Sequence, residues 1–451
     1  PTTTAGTLPN YTWYLFPGAT RPMLMMEYNT NISNAHQLQL AGSALANNYT
    51  LANDIDLSAS MANASDVWGT NRGTSGAGFA PIGGTSGTFT GTFDGQGHII
   101  DNLYINSSAH TAGFMRSITS AGIIKNIGLT NINIIHTYAG GSNNSSIGGL
   151  VGESYGNITN SYTTGRVTAN NTSTAYSYAA GLVGYNYGTI TNSYNTADVT
   201  ANVTSGTRYA IAGITGINNG GTIDGVYNSG DITMNRLSGG AQLFAAGISA
   251  MTNGTVIINN TYNTGTILAR GTPTKSTLRV IGGLVGLGGT VTNSYNAGLV
   301  LADTTYYYAG SVIGTPSGTN VNNFYDSDTS GTNAGVGSGS ATGITGLTSA
   351  NMMTAGNFTG WNISNTASTT TVKPTATWFI FEGATRPMLM MEYSTNISNA
   401  HQLQLAGSTL GANYTLANDI NLYDAMSNTS DVWGTNRTTS EGEGFSPIGS
   451  A

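Results

Sequence analysis

The sequence predicts an all-β protein built as a solenoid, in which short parallel strands stack coil upon coil. One observation is the composition. Only 7% of the 451 residues are charged, so Thr, Ser, Asn and Gly must form most of the polar surface, and these residues favour turns and strands over helix interiors. The other observation is repetition, with a long period of 365 residues and a short one of 30 to 35. Stacked equivalent coils produce such periods.

The composition also excludes several kinds of function. The 13 basic and 20 acidic residues are spread thinly and form no basic stripe for nucleic acid. The absence of cysteine removes disulfides, thiolate metal sites and cysteine nucleophiles. No apolar run approaches the roughly 20 residues that a membrane-spanning helix needs. We therefore expect no nucleic-acid partner, no cofactor and no membrane span in this segment.

The long period comes from two copies of one sequence. Residues 12–72 match residues 377–437 at 48 of 61 positions. The chain is therefore interpreted as slightly more than one period of a tandem array, in which residues 1–29 end one unit, residues 30–393 form a full unit and residues 394–451 begin the next. We expect the units to continue end to end, with about 11 to 15 coils in each. The full unit is divided into opening coils, six similar coils and a closing segment, at residues 30–146, 147–330 and 331–393.

The short period is a pattern such as TITNSY, which occurs six times between residues 147 and 330. Its tyrosines are separated by 32, 33, 35, 33 and 30 residues, which suits one coil of a solenoid. Aligning them predicts an aliphatic core column four positions before the tyrosine and a ladder of side-chain amides two positions before it. The aliphatic column is Ile158, Ile190, Ile223, Ile258, Val291 and Val321; the amide column is Asn160, Asn192, Asn260, Asn293 and Asn323, with Gly225 in the third copy; the tyrosines are Tyr162, Tyr194, Tyr227, Tyr262, Tyr295 and Tyr325.

The repeated pattern resembles a known family. GLVG followed by GxITNSYxxG is similar to the GLUG-motif repeats of bacterial surface proteins, and the run from Trp68 to Ile105 is similar to the segment that precedes those repeats. Residues 343–389 are similar to the segment that closes them, although the family commonly has an aromatic residue where Arg386, Pro387 and Met388 stand. The resemblance implies a right-handed parallel β-helix in large secreted or surface-anchored proteins, often filamentous-haemagglutinin-like adhesins.

Two local patterns could indicate a nucleotide-binding site or a catalytic site. Gly181, Gly184 and Gly188 lack the lysine and the helix of a phosphate-binding loop, and their repetition favours turns. Asp94 lies seven residues before Asp101, and glycoside hydrolysis needs two carboxyl groups that face one sugar. No convergent acid pair is evident, and the resembling family carries this segment as a structural turn. We therefore expect no catalysis.

Metal and anion binding are weighed in the same way. Asp54 with Asp56, and Asp326 with Asp328, offer alternate carboxylates, but both pairs lack the glycine and distal glutamate of a calcium-binding loop. Turn formation is the expected role of Asp54, and no metal is expected. The basic cluster in the longest insertion predicts either a contact with anionic glycans or a solvated loop. Its members are Arg270, Lys275 and Arg279.

These observations favour a structural and adhesive repeat region of a long extracellular bacterial fibre or surface adhesin, without catalysis. The expected partners are other copies of the unit, end to end or side by side, and surface glycans or other cells. Low charge weakens the repulsion between neighbouring rods and favours lateral association. The alternatives are a β-helical module that degrades polysaccharides, as in a tailspike, and a glycan-binding module without catalysis.

Overall fold

The protein is a parallel β-solenoid, which confirms the predicted fold class. It is a computed structural model that describes residues 10–69, 76–84, 87–140, 143–171, 175–204, 207–237, 242–271, 278–303, 308–434 and 444–449. Each coil contributes strands to three faces, and successive coils pair in parallel. In the described part of the chain, no helix is long and apolar enough to cross a membrane.

Among the described residues, the first two faces are sheets of seven strands, one strand from each coil. The first face consists of Thr111–Ala112, Ser145–Gly148, Tyr176–Ala180, Arg208–Ala212, Gln242–Ala246, Arg279–Gly282 and Tyr308–Gly310. The second face consists of Met115–Ile118, Val151–Ser154, Val183–Asn186, Thr215–Asn219, Ser249–Asn253, Val285–Leu287 and Ile313–Thr315.

In the part of the chain that the structure describes, the third face is a sheet of 22 strands, since most coils contribute two or three strands to it. It also includes short strands from the start of the chain. Its strands are Asn31–Ile32, Tyr49–Leu51, Ile55–Asp56, Thr92–Asp94, Ile99–Asp101, Tyr104–Ser107, Ile123–Lys125, Gly128–Tyr138, Asn157–Thr159, Tyr162–Asn171, Thr189–Thr191, Tyr194–Asn195, Asp198–Val203, Thr222–Asn228, Ile232–Arg236, Ile257–Asn263, Ile267–Arg270, Thr290–Thr292, Tyr295–Asn296, Val300–Ala302, Asn323–Asp326 and Ile344–Leu347.

The aliphatic column fills the interior of the coils. Ile158 pairs with Ile190, and the pairing continues through Ile223 and Ile258 to Val291. All five side chains are fully buried in one continuous core. Each in-register rung thus covers the apolar residues of the rung before it, which explains why the same residue type recurs at this position.

Two equivalent blocks flank the coils. The first block is residues 12–69 and the second block is residues 377–434. Each contains a six-residue α-helix with an N-cap asparagine. The side chain of Asn34 accepts a hydrogen bond from the backbone N–H of Gln37, and that of Asn399 accepts one from Gln402. The α-helices are Ala35–Leu40, Ser58–Ala62, Ala400–Leu405 and Tyr423–Ser427, and the 3₁₀-helices are Met25–Glu27, Ala41–Ser43, Asn351–Met353, Ala355–Asn357 and Ala406–Ser408.

The first block begins the solenoid, because its strand Tyr49–Leu51 pairs with Thr92–Asp94 of the first coils. Phe16 and Met23 pack in one cluster with Leu40 and Ala80, so residues on both sides of the expected boundary at 29/30 form a single packed body. Its remaining strands are Trp13–Tyr14 and Met23–Leu24; the closing segment and the second block contain Ile363–Ser364, Trp378–Phe379, Met388–Leu389, Asn396–Ile397 and Thr415–Leu416.

The coil count differs from the expected 11 to 15, since the first two faces each have seven strands. The physical reason is that the closing segment adds only one parallel bridge to those faces, from Val336 to Ile313, and one strand, Ile344–Leu347, to the third face. The described residues from Met352 onward pack instead against the outside of the third face, where a second apolar cluster forms.

Candidate functional site

Five tyrosines form a stacked column on the outside of the third face. The ring centroids of Tyr162, Tyr194, Tyr227, Tyr262 and Tyr295 are separated in turn by 4.6, 4.7, 4.8 and 5.2 Å, and neighbouring rings are within 8° of parallel. The spacing follows from the strand separation of about 4.8 Å. The column points away from the core, because Val226 belongs to the interior cluster while the next residue, Tyr227, belongs to the outer one.

The closing segment and the second block cover the last tyrosines of the column. The indole of Trp378 lies 6.1 Å from the ring of Tyr262 and 5.9 Å from that of Tyr295, and it is fully buried. The indole of Trp361 stacks on Trp378 at 4.5 Å and lies 6.3 Å from the ring of Tyr295. The Tyr295 hydroxyl donates to the carbonyl oxygen of Pro387 at 3.0 Å, so this buried phenol has a hydrogen-bond partner.

A buried charged group lies at the centre of this contact. His401 Nδ1 is 2.7 Å from Glu392 Oε2 and its Nε2 is 2.8 Å from Asp431 Oδ1. Burial alone would lower the pKa of His401, but the two carboxylates raise it to about 10, so the imidazole is cationic at neutral pH. The Tyr262 hydroxyl donates to Glu392 Oε1 at 2.9 Å. Burial raises the pKa of Tyr262 well above its ordinary value, which keeps the phenol neutral as a donor.

A second charged contact joins the last coil to the second block. The guanidinium of Arg386 donates to Asp326 Oδ2 through Nε, at 3.0 Å, and through Nη2, and both side chains are fully buried. Asp326 also accepts hydrogen bonds from Ser349 Oγ and from the backbone N–H of Asp328. This carboxylate, one of the alternate pair weighed as a metal ligand, therefore positions the docked block.

The predicted asparagine column has a backbone role. Asn160, Asn192, Asn260 and Asn293 have φ between 47 and 49°, and Gly225 has φ 63°. Asparagine and glycine are the residues that tolerate this left-handed conformation best, which explains why they exchange at this position. The side chains make only interrupted amide contacts, such as the 3.1 Å bond from Asn160 to Asn126.

A continuous amide ladder lies one position after the tyrosine instead. Asn195, Asn228, Asn263 and Asn296 are fully buried, and each donates to the next at 2.8 Å, from Asn195 onwards. A Cβ atom on Gly181 would lie 2.0 Å from Asn195 Oδ1, and Gly213, Gly247 and Gly283 face the ladder in the same way. In these four coils the glycine is thus required because an asparagine of its own coil packs against it, whereas Gly149 of the first GLVG stretch faces Thr163 and the backbone of Gly181.

The sixth copy is shifted by one residue from the alignment on Tyr325. Tyr295 pairs with Phe324, so phenylalanine follows the tyrosines in the column, and Tyr325 pairs with Asn296. Val321 pairs with Thr292 and is 42% exposed, so it does not continue the aliphatic column. A shift of one residue turns each side chain of a strand to the opposite face. Asn323 is buried and accepts from the Ser294 N–H, while the left-handed residue is Asn322.

The basic cluster is not one surface. Arg270 is exposed at the end of its strand, whereas Arg279 begins a strand of the first face and is fully buried. Lys275 lies outside the described residues. The two described arginines therefore offer no joint surface for an anionic glycan.

The two carboxylates weighed for catalysis are occupied by neighbouring rungs. Asp94 contacts Lys125 Nζ at 3.1 Å and accepts from Asn126 at 3.0 Å. Burial raises the pKa of Asp94, but the hydrogen bonds and Lys125 outweigh it, so the net pKa is below its ordinary value. Asp101 accepts from Thr130 at 2.6 Å and from Asn131 at 2.8 Å. Both carboxylates hold successive rungs together.

The candidate metal ligands in the first block are also engaged in hydrogen bonds with neighbouring residues. Asp54 Oδ1 accepts from the Ile99 N–H and lies 3.0 Å from His98 Nδ1, which places it at a turn between coils. Asp56 accepts from both the N–H and the hydroxyl of Ser58. Within the described ranges, no three His, Cys, Asp or Glu side chains are grouped so that they could hold a metal ion.

An open groove of about 990 Å³ lies between the first tyrosines of the column and the second block. It is lined by Tyr162 and Tyr194 on one side and by Asn396, Asn418 and Asp424 on the other. Aromatic rings beside amides and carboxylates provide both stacking and hydrogen-bonding contacts.

The fold and the stacked columns define a β-solenoid repeat protein. Residues 143–168 and 175–200 match the family model of the GLUG motif, which confirms the resemblance of these coils to that motif. Halomucin of Haloquadratum walsbyi is 34% identical over 145 residues, which are 31% of this chain and 1% of that protein. The solved structure of a putative immunoglobulin A1 protease from Bacteroides ovatus is similar with a TM-score of 0.47 and 18% identity, over 80% of this chain and 91% of that one.

Proposed function

We propose that this chain is part of the structural and adhesive repeat region of a long extracellular fibre or surface adhesin of the filamentous-haemagglutinin-like kind. The observation that carries the proposal is the repeat itself, because a second copy of the opening sequence follows directly after one solenoid and folds as a new block beside it. Tandem units lengthen a protein without any new interface design. The similarity to part of halomucin supports a location outside the cell or at its surface.

Electron microscopy of the natural full-length protein tests this proposal. We expect thin rods with a regular repeat, in which each unit contributes seven rungs on the first two faces and nine on the third, or about 30 to 45 Å of stacked strands. Adhesion is measured separately, as retention of labelled full-length protein on cells or glycan surfaces. Compact particles without a repeat would contradict the fibre, and rods that bind no surface would limit the function to structure.

We also propose that the chain has no catalytic role, because Asp94 and Asp101 are held by hydrogen bonds within the rungs. Incubation of the full chain with a set of polysaccharides should give no chain cleavage. Cleavage that Asp94→Asn or Asp101→Asn abolishes would establish the alternative, a β-helical polysaccharide-degrading enzyme.

Glycan binding is the second candidate function. The groove beside Tyr162 and Tyr194 is a better candidate for the binding site than the basic cluster is. A glycan array with the full chain should then show binding that Tyr162→Ala reduces. Arg270→Ala is the matched control, because that exposed arginine belongs to the cluster and does not line the groove. Loss of binding in the control alone would assign the contact to the insertion instead.

A further inference from the structure

The two blocks present nearly the same surface in two environments. Trp378 and Ile380 of the second block are fully buried, whereas the equivalent Trp13 and Leu15 of the first block are 56% and 49% exposed. Met26 is 84% exposed, and its equivalent Met391 packs against the outer apolar cluster. The equivalents of these three side chains all take part in one apolar cluster in the second block, so the exposed set of the first block forms a candidate interaction site.

The charged contacts of the first block are also preformed. His36 lies 2.7 Å from Glu27 and 2.6 Å from Asp66, the same arrangement that His401 makes in the second block. Here the imidazole remains 30% exposed. The contacts of the histidine with its two carboxylates therefore form in the first block although no tyrosine column of the described residues covers it.

Arg21 of the first block makes some of the contacts that its equivalent makes in the second block. Its guanidinium donates to the carbonyl oxygens of Asp66, at 2.6 Å, and Ala64, at 3.1 Å. The equivalent Arg386 keeps both carbonyl contacts and adds the carboxylate of Asp326. Arg21 is exposed and pairs with no carboxylate among the described residues, so it is oriented for an acid that another molecule would supply.

We infer that the exposed face of the first block, formed by Trp13, Leu15, Arg21 and Met26, binds the tyrosine column of a second copy of this unit. The binding partner follows from the second block, which already covers that column in this chain. Its sequence is identical to that of the first copy at 48 of 61 positions. The inference deepens the proposed fibre function, on which its biological meaning rests. It also replaces end-to-end stacking by a joint in which each block lies on the side of its neighbour's solenoid.

The test uses the full chain, whose own second block covers the column. Trp378→Ala with Arg386→Ala should release the column, which hydrogen exchange of the Tyr262 and Tyr295 strands would report. The released chain should associate through its intact first block, so its sedimentation mass should at least double with concentration. The wild-type chain should stay monomeric, because a linked block competes at a high effective concentration.

Adding Trp13→Ala and Arg21→Ala to the released chain is the matched control and should abolish association. Should the first pair of changes fail to release the column, Glu392→Gln with His401→Gln removes charged contacts of the second block instead and leaves Asp326 available to Arg21 of another copy. A photo-crosslinking amino acid at Met26 should then join the first block to column peptides of another molecule, with a yield that falls about tenfold in the control.

An exposed column that gives no crosslink to Met26, or association that persists in the control, would overturn the inference. These results are distinguishable from failure of the fibre proposal. Rods in electron micrographs without this crosslink would leave the fibre intact and its units joined in another way, whereas a crosslink without rods would show docking in a protein that forms no fibre.

Discussion

Replacing His401 by glutamine should loosen the docked block strongly, whereas the same change at His36 should be mild. His401 is buried between Glu392 and Asp431, and removing one partner of a buried charge network costs about 3 to 5 kcal/mol because the remaining charges lose their compensation. His36 makes the same pairs with 30% of its side chain exposed. Pairs that water reaches contribute about 0 to 1 kcal/mol.

Raising the pH should weaken the docked block through the same residue. The pKa of His401 is raised from 6.5 to about 10, so its stabilising contribution is fully present below pH 6.5 and declines as pH rises through about 10. This pKa difference corresponds to a loss of about 5 kcal/mol in the stability of the docked block between pH 6.5 and pH values above 10. In His401→Gln the block should lose this dependence.

Hydrogen exchange measured by mass spectrometry is the appropriate assay, because a chain of several packed parts opens locally before it unfolds. Protection of the helix Ala400–Leu405 should fall by a factor of about 100 to 1,000 or more in His401→Gln. Protection of Ala35–Leu40 should fall less than about tenfold in His36→Gln. Equal effects in the two helices would refute the argument that the tyrosine column desolvates the second group.

Two further predictions concern the rungs, both measured by denaturant unfolding of the full chain. Asn228→Ala should destabilise the coils by about 2 to 4 kcal/mol, because it interrupts the buried amide ladder on both sides. Asn202 makes partly buried amide hydrogen bonds with Asn170 and Asn235, and Asn202→Ala should cost about 1 kcal/mol or less. Similar losses in both variants would contradict the role of burial. Gly225→Ala should cost about 1 to 2 kcal/mol at φ 63°, and Gly225→Asn should cost less, as asparagine holds this conformation in the neighbouring coils. An asparagine variant no better than the alanine variant would argue against the backbone explanation.

The coils were predictable because each rung repeats the same local chemistry. The aliphatic column from Ile158 to Val291 is visible in one sequence, since in-register stacking places identical positions on top of one another. The sixth copy was not predictable in this way. Asn320 to Tyr325 contain asparagines and two aromatic residues that fit two alignments one residue apart, and only pairing with the previous rung decides between them.

The amide ladder and the docked block required contacts between distant residues. An asparagine follows the tyrosine in four of the six copies and lies two positions before it in five, so periodicity alone does not separate a hydrogen-bonded column from a column of left-handed turns. The coupling of each ladder asparagine to a GLVG glycine was a usable signal, since the two residue types recur together in the same coils.

The sequence by itself determined that the chain is a solenoid, which rungs are equivalent and that its opening block occurs twice. Those properties follow from local spacing, which stacking converts directly into contacts. The tertiary structure decided which side of the solenoid the second block occupies. The reason is that the tyrosines look alike in every coil, and only the complementary partners around Trp378, Arg386 and His401 select the covered part of the column.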